Sequence, residues 1–530
     1  MNIRRDQSIR IVFLAALIIA LSTVLPAVLT AQVKLPAIIG DHMVIQQGQP
    51  INVWGWAAKN EPVTVKLGAA ERKTKASASD GKWLVTFDAL KAGGAALEMS
   101  VSGEKGPAVT VKDILVGEVW LGSGQSNMEW ALEWLAYSTP DIMAADHPGL
   151  RLFQVPKKTS DRPKDDVDAK WVVSSPSVIR GFSAVAYFFG LDLHKRLGVP
   201  VGMIESAWGG TRIEPWTPPA GFAAVPETKP ILDEQLAKFD EYRKHVAKDL
   251  PAWETWIRET QKALKANAPI PAEPFNGEFP TNPYDDAQAP TTLYNAMVHA
   301  LTPYAIRGAI WYQGESNRDD GLLYAKKMEA MIKGWREVWK IGDFPFYYVQ
   351  IAPYDYGYDK NMKGNPVLDA YRLPLLWEAQ TNALKIPNTG MAVITDITNL
   401  RDIHPAEKKA VSARLALWAR AKAYGEKGLV YSGPLFKSIA FEGDKARVAF
   451  DYVGSGLVTN DGQPPTWFEV AGDDHVFYRA EAEISGDTVI VKSPRVAAPK
   501  AARMGWNERA VPNLANKEGL PASPFRTDNW

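Results

Sequence analysis

Between about residues 113 and 425, apolar strand-like runs alternate with helical segments. That alternation is the pattern of a parallel sheet covered by helices on both faces. Strands are expected at 115–121, 150–155, 199–205, 307–312, 345–351 and 390–396. Helices are expected at 183–197, 293–302, 321–340, 369–385 and 405–424. In the last of these, Ala410, Val411, Leu415, Leu417 and Trp418 form one apolar face. Sheets of this kind bind ligands at the carboxyl ends of their strands, so the loops that follow the strands are where chemistry is sought.

The flanks have a different rhythm. Residues 32–112 contain short alternating strands such as Val63-Thr64-Val65 and Trp83-Leu84-Val85-Thr86-Phe87, punctuated by Gly and Asp. This spacing predicts an N-terminal β-sandwich-type domain. Residues 426–530 return to strands, beginning clearly at Ala446-Arg447-Val448-Ala449-Phe450, and predict a C-terminal β region of the same type. The sheet domain, 113–425, is interrupted at about 221–290 by a charged helical stretch and a Pro- and Asn-rich loop. This is an insertion overhanging the site or a plain surface excursion. Residues 1–31 combine Arg4, Arg5 and Arg10 with an apolar run and small residues, the three parts of a signal peptide. An uncleaved anchor is the alternative. The expectation is an exported protein, periplasmic or extracellular and bacterial, with no stable membrane partner once the leader is cleaved.

Composition narrows the function. Lysines and arginines balance the acidic residues, and no basic face stands out, so nothing favours nucleic acid. There is no cysteine, which excludes disulfides and thiolate chemistry. Export without disulfides suits a bacterial compartment. The chain has 19 Trp, several beside Gly-rich turns, and exposed indoles suit the apolar faces of sugars.

Four loops carry candidate chemistry. Gly124-Gln125-Ser126-Asn127-Met128 follows the apolar run 116–121 and opens a helix. A serine at that seam can attack a carbonyl, and its own N–H can bind the resulting oxyanion. An N-capping Gly-Ser turn is the plain alternative. Ser206-Ala207-Trp208-Gly209-Gly210-Thr211 has paired glycines whose N–H groups can approach a ligand, or which make only a tight turn. Trp311-Tyr312-Gln313-Gly314-Glu315 offers an amide donor in Gln313 and a carboxylate in Glu315. Asp402-Ile403-His404-Pro405 supplies a general base with a carboxylate two residues before it. Together the loops provide a nucleophile, base, acid and oxyanion donors, each after a different strand, as acyl transfer requires. The α/β-hydrolase elbow G-x-S-x-G is not matched, because Met128 stands at its final glycine.

These stretches resemble the sialate O-acetylesterase family of the SGNH (GDSL-like) hydrolases. The similarity extends to Gly40-Asp41-His42-Met43-Val44, Val53-Trp54-Gly55-Trp56, Gly117-Glu118-Val119-Trp120, Pro215-Trp216 and the tail Glu518-Gly519-Leu520-Pro521-Ala522-Ser523-Pro524-Phe525-Arg526. The resemblance implies a three-layer α/β/α domain with attached β domains, hydrolysing O-acetyl esters of sugars, typically of sialic acids, without metal or other cofactor. It implies Ser126 as nucleophile, His404 as base, and Ser126 with Gly209 or Gly210 as oxyanion donors. Gln313 stands where many superfamily members have Asn. The superfamily commonly has Asp three residues before the His, but Arg401 occupies that place. Asp402 is therefore the first choice of acid, and Glu315 its rival. Trp208, Arg212 and Trp311 are candidates for substrate binding, with Arg212 able to grip a sialic acid carboxylate or to serve a structural salt bridge. An acetylxylan or other polysaccharide esterase is the alternative enzyme, and a non-catalytic carbohydrate-binding protein the alternative of another class.

Overall fold

The computed structural model describes residues 33–104, 106–274, 281–358 and 370–530. The expected leader, 1–31, lies outside the described residues. The chain forms two compact units. The smaller contains Val53–Val85 and Glu98–Thr110. In it Pro62–Leu67 pairs antiparallel with Ala70–Lys75 across a turn at Gly68, and with Leu97–Ser102 on its other edge. Val63, Val65 and Leu67 are buried while Thr64 and Lys66 are not, the two-residue alternation of a half-buried strand.

The larger unit holds the main sheet. Its strands are β1 (Val109–Gly124), β2 (His147–Gln154), β3 (Trp171–Ser174), β4 (Val201–Ala207), β5 (Gly308–Tyr312), β6 (Phe346–Gln350) and β7 (Thr389–Val393). Their order is β7-β6-β5-β1-β4-β2-β3. All neighbours run parallel except β2 and β3. β4, β5 and β6 are buried along their whole length, as strands covered on both sides must be. All six strand positions read from the sequence are strands of this sheet.

The helices that matter for the site are α1 (Ser126–Glu129), α2 (Ala184–Leu197), α3 (Lys229–Lys265), α4 (Leu323–Trp339), α5 (Arg372–Asn382) and α6 (Lys408–Trp418). Ser183 caps α2 by accepting the N–H of Ala186, and Gly198, at φ +66°, ends it. α2 and α6 pack on one another, α2 on β4 and α6 on β7, while α4 packs on α5; α5 and α6 both touch β6. The segment expected as a helix at 293–302 is instead a π turn, Tyr294–Val298, running into a 3-10 turn. α3 occupies much of the 221–290 interruption as one 37-residue helix. Among the described residues, no helix is long and apolar enough to cross a membrane.

The C-terminal strands form two four-stranded antiparallel sheets and one two-stranded antiparallel sheet within the same unit. They share a core of Val448, Phe450, Phe468, Val489, Met504 and Phe525. The tail is fastened to the main sheet region: Gln350 Nε2 donates to Ser523 Oγ, and Arg526 pairs with Glu378. The 518–526 motif therefore acts as a clasp on the main sheet region. The fold is mixed α/β, with a mostly parallel sheet and additional β sheets at the C-terminus.

Candidate active site

β1 lies at the centre of the sheet, between β5 and β4. The loops after these three adjacent strands carry Ser126, Gln313 and Gly209, and the loop between β7 and α6 carries His404. The turn out of β1 needs glycine. Gly124 has φ +144°, and a Cβ there would lie 2.1 Å from the carbonyl oxygen of Tyr312. Gln125 N–H donates to that same carbonyl at 3.0 Å, which sets Ser126 at the first turn of α1.

Ser126 Oγ lies 2.9 Å from His404 Nε2. On the other side of the ring, Asp402 Oδ1 is 3.6 Å from His404 Nδ1, and it accepts the His404 backbone N–H at 2.9 Å. The indole of Trp130 stacks on the imidazole at 4.5 Å between centroids. Burial, followed by repulsion from Lys408, holds His404 below the ordinary histidine range, while Asp402 pulls weakly the other way. The imidazole is thus neutral near pH 7, with Nε2 facing the hydroxyl it would deprotonate.

Gly209 packs directly on the serine. A Cβ there would come within 3.2 Å of Ser126 Cβ, so a side chain would crowd Ser126. Its N–H donates to Oε2 of Glu129, whose other oxygen pairs with Lys157. A carboxylate oxygen thus accepts a backbone donor beside Ser126, as an acyl oxyanion would. Gly210 adopts φ +75° in the same turn, and its carbonyl accepts from Gln288 and Ser316. A cavity of about 340 Å³ adjoins Glu129, lined also by Trp134, Gln154, Lys157, Glu205 and Ala207. Trp134 is 55% exposed, and burial pushes Glu205 up to about 8. Neither Glu129 nor Trp134 is signalled by a motif of known chemistry; their spacing from Ser126 within one turn and the next is the only clue.

Several expected site residues have other positions. Gln313 is fully buried, and its amide donates to Asn317 Oδ1 at 2.7 Å and Thr211 O at 3.2 Å while accepting from Tyr324. Both its hydrogens are committed, so Gln313 braces the Thr211 turn rather than offering an oxyanion donor. Trp311 is 1% exposed and packs edge-on against Trp216 and Trp335, which makes it a core residue and not a sugar platform. Arg212 is part-exposed and already engaged by Glu214 and Asp320, both of which also bind Lys327, so a carboxylate ligand would have to compete with two carboxylates for it. Glu315 accepts from Asn127 at 2.6 Å, not from the imidazole. Trp208 is half-buried, its N–H held by the Gly124 carbonyl. Among the described residues no acidic or histidine cluster could hold a metal ion.

Comparison with known proteins gives this arrangement a class. Residues 282–410 match the family described as carbohydrate esterase, sialic acid-specific acetylesterase. A crystal structure of a carbohydrate acetylesterase from Xanthomonas citri superposes with a TM-score of 0.76 at 37% identity, covering 94% of this chain and 100% of that one. The class is that of the carbohydrate esterases, and the protein is a hydrolase of this kind. The sialate O-acetylesterase of Mus musculus is 31% identical over 445 residues, 76% of this chain and 75% of the relative. That of Rattus norvegicus is 30% identical over 442 residues, with the same shares covered. The chain belongs to the sialate O-acetylesterase family.

Proposed function

We propose that the protein removes acetyl groups from sugar hydroxyls by a Ser126–His404–Asp402 mechanism through an acetyl-enzyme. The observation that carries this is the 2.9 Å contact between Ser126 Oγ and His404 Nε2 beside the Gly209 donor. His404 takes the serine proton as Oγ attacks the acetyl carbon. The oxyanion accepts the N–H groups of Ser126 and Gly209, taking the seat of the Glu129 carboxylate, which turns away with Lys157. The C–O bond to the sugar breaks, and His404 returns the proton to the departing hydroxyl. Water, deprotonated by the same imidazole, then releases acetate. Asp402 orients His404 and stabilises its charged form, and Glu315 has no part in proton transfer.

The three-layer SGNH plan fits this reading, since α5 and α6 both reach β6 and the reactive loops gather at the strand ends. The sugar sits in the cavity beside Glu129, against the exposed face of Trp134. Acetylated sialic acids are the first substrates to test, because the mammalian relatives are named for them; acetylated xylan is the second. Ser126→Ala should lower p-nitrophenyl acetate and acetyl-sugar turnover by roughly 10⁶-fold. Acetate release that survives the substitution would overturn the assignment.

A further inference from the structure

Next to Ser126 and His404 lies a buried polar cluster for which the acetyl-transfer scheme has no use. Lys408 is 0% exposed. Its ammonium donates to Asn127 Oδ1, and the rings of Tyr312 and Trp130 face it at 5.2 and 5.8 Å. Asn127 Nδ2 donates to Glu315 Oε1 at 2.6 Å and to the carbonyl of Ile403 at 3.0 Å. Asn127 and Glu315 are buried as well. Burial brings Lys408 down to about 7 and raises Glu315.

Stability alone is a weak reason for such a cluster, because buried ion pairs are often no better than apolar residues of similar volume. Its placement is more telling. Asn127 follows Ser126 in the chain, and Ile403 precedes His404. One amide group therefore ties the chain neighbour of the hydroxyl to the chain neighbour of the imidazole. Lys408, four residues after His404, holds the other side of that amide and shares the Trp130 ring with His404.

We propose that Asn127, Glu315 and Lys408 form one buried positioning unit that sets the separation of Ser126 and His404, with Lys408 as its fixed point. The inference rests on the Ser126–His404 reading. Lys408 acts through Asn127 and through its charge, never through the substrate. The groups facing His404 are Ser126, Asp402, Lys408 and the Trp130 ring; those facing Lys408 are Asn127, Glu315, Tyr312 and Trp130. Below pH 7 the ammonium is charged and opposes a proton on His404.

The test uses the full chain with Lys408→Met, Asn127→Ala and the double variant, each read for kcat, KM and the pH profile of kcat/KM. Lys408→Met should lower kcat by about 10²-fold, the cost of a small misplacement, with little change in KM. Its acid limb should move to higher pH, because the repulsion on His404 is gone. Asn127→Ala should lose a similar factor in kcat, and the double variant should be no worse than the poorer single one. Wild-type kcat and pH profile in Lys408→Met, or losses that multiply in the double variant, would overturn the proposal. If Lys408→Met does not fold, Asn127→Ala decides, and wild-type kcat there refutes it. Ser126→Ala in the same assay separates the two readings. Activity retained in it faults the mechanism, whereas an inactive Ser126→Ala beside normal Lys408→Met and Asn127→Ala enzymes faults the positioning unit alone.

Discussion

Two of the polar clusters around the main sheet are built on opposite principles. One is Arg212, Glu214, Asp320 and Lys327. Two cations face two carboxylates, and Asn317 donates to both carboxylates as well. Every charge there is answered within the cluster. The other is Ser126, His404 and Asp402. Here the carboxylate is 54% exposed and stands 3.6 Å from the imidazole, while the imidazole is depressed rather than stabilised as a cation. A closed cluster holds loops together. Under the proposed mechanism an open one keeps a proton acceptor available, and that difference would separate scaffold from chemistry more sharply than residue type does.

The largest effect should come from opening the reactive cluster further. His404→Ala should cost roughly 10⁶-fold in turnover, as removal of a triad base does, with unchanged thermal unfolding. In the intact protein the acid limb of kcat/KM should fall below the ordinary histidine value of about 6.5, because burial and Lys408 both disfavour the protonated ring. Activity is lost as pH drops through that value and His404 takes up a proton. A limb at or above the ordinary value would mean that another group titrates. The closed cluster should respond in the opposite sense. Lys327→Met leaves Glu214 and Asp320 buried with one cation fewer, and should lower unfolding free energy by about 3–5 kcal/mol in a denaturant titration. Its kcat should stay near that of the parent. A large loss of kcat in a folded Lys327→Met protein would erase the distinction between the clusters.

A finer division runs through the reactive cluster itself. Glu129 accepts the Gly209 N–H and is held by Lys157. Displacing it costs substrate a charged hydrogen bond. Glu129→Ala should therefore speed organophosphonate labelling of Ser126 by about tenfold, the equivalent of about 1.5 kcal/mol. Slower labelling would mean that Glu129 assists the reagent instead of occupying its seat.

The Ser126, Gly209 and Gln313 loops stand out in the sequence because each follows an apolar strand with Gly and polar residues; the His404 loop stands out only by its Asp-x-His before a helical period. Gly124 and Gly209 are required where backbone and serine approach closely. The strands were equally legible, being short apolar runs between helical periods. What could not be read was the destination of each side chain. Gln313 has the chemistry of an oxyanion donor, yet Tyr324 and Asn317 fold back onto it from the following residues. Trp311 sits in a glycine-flanked loop motif, but its own position is the fifth-strand interior. Lys408 looks like an ordinary helical surface lysine, and only the packing of α6 on α2 and the sheet buries it. Periodicity reports which face is apolar; it does not report which polar side chain is trapped there.

Arg212 offers the smallest effect and the sharpest use of the comparison. Its residue type and its place beside Gly209-Gly210 suggested a grip on a sialic acid carboxylate. Its contacts assign it to the closed cluster, where Glu214 and Asp320 already balance it. Arg212 is also part-exposed, so its pairs are worth less than those of Lys327, about 1 kcal/mol or below. Arg212→Gln should therefore change KM for an O-acetylated sialic acid by no more than about twofold, within the range of exposed pairs. The ratio of rates on sialic acid and acetylated xylan should stay the same. A KM rise confined to the sialic acid would show that substrate competes successfully with two carboxylates for this guanidinium. The cluster would then be open in the bound state, and the line drawn between scaffold and chemistry would have to pass through Arg212.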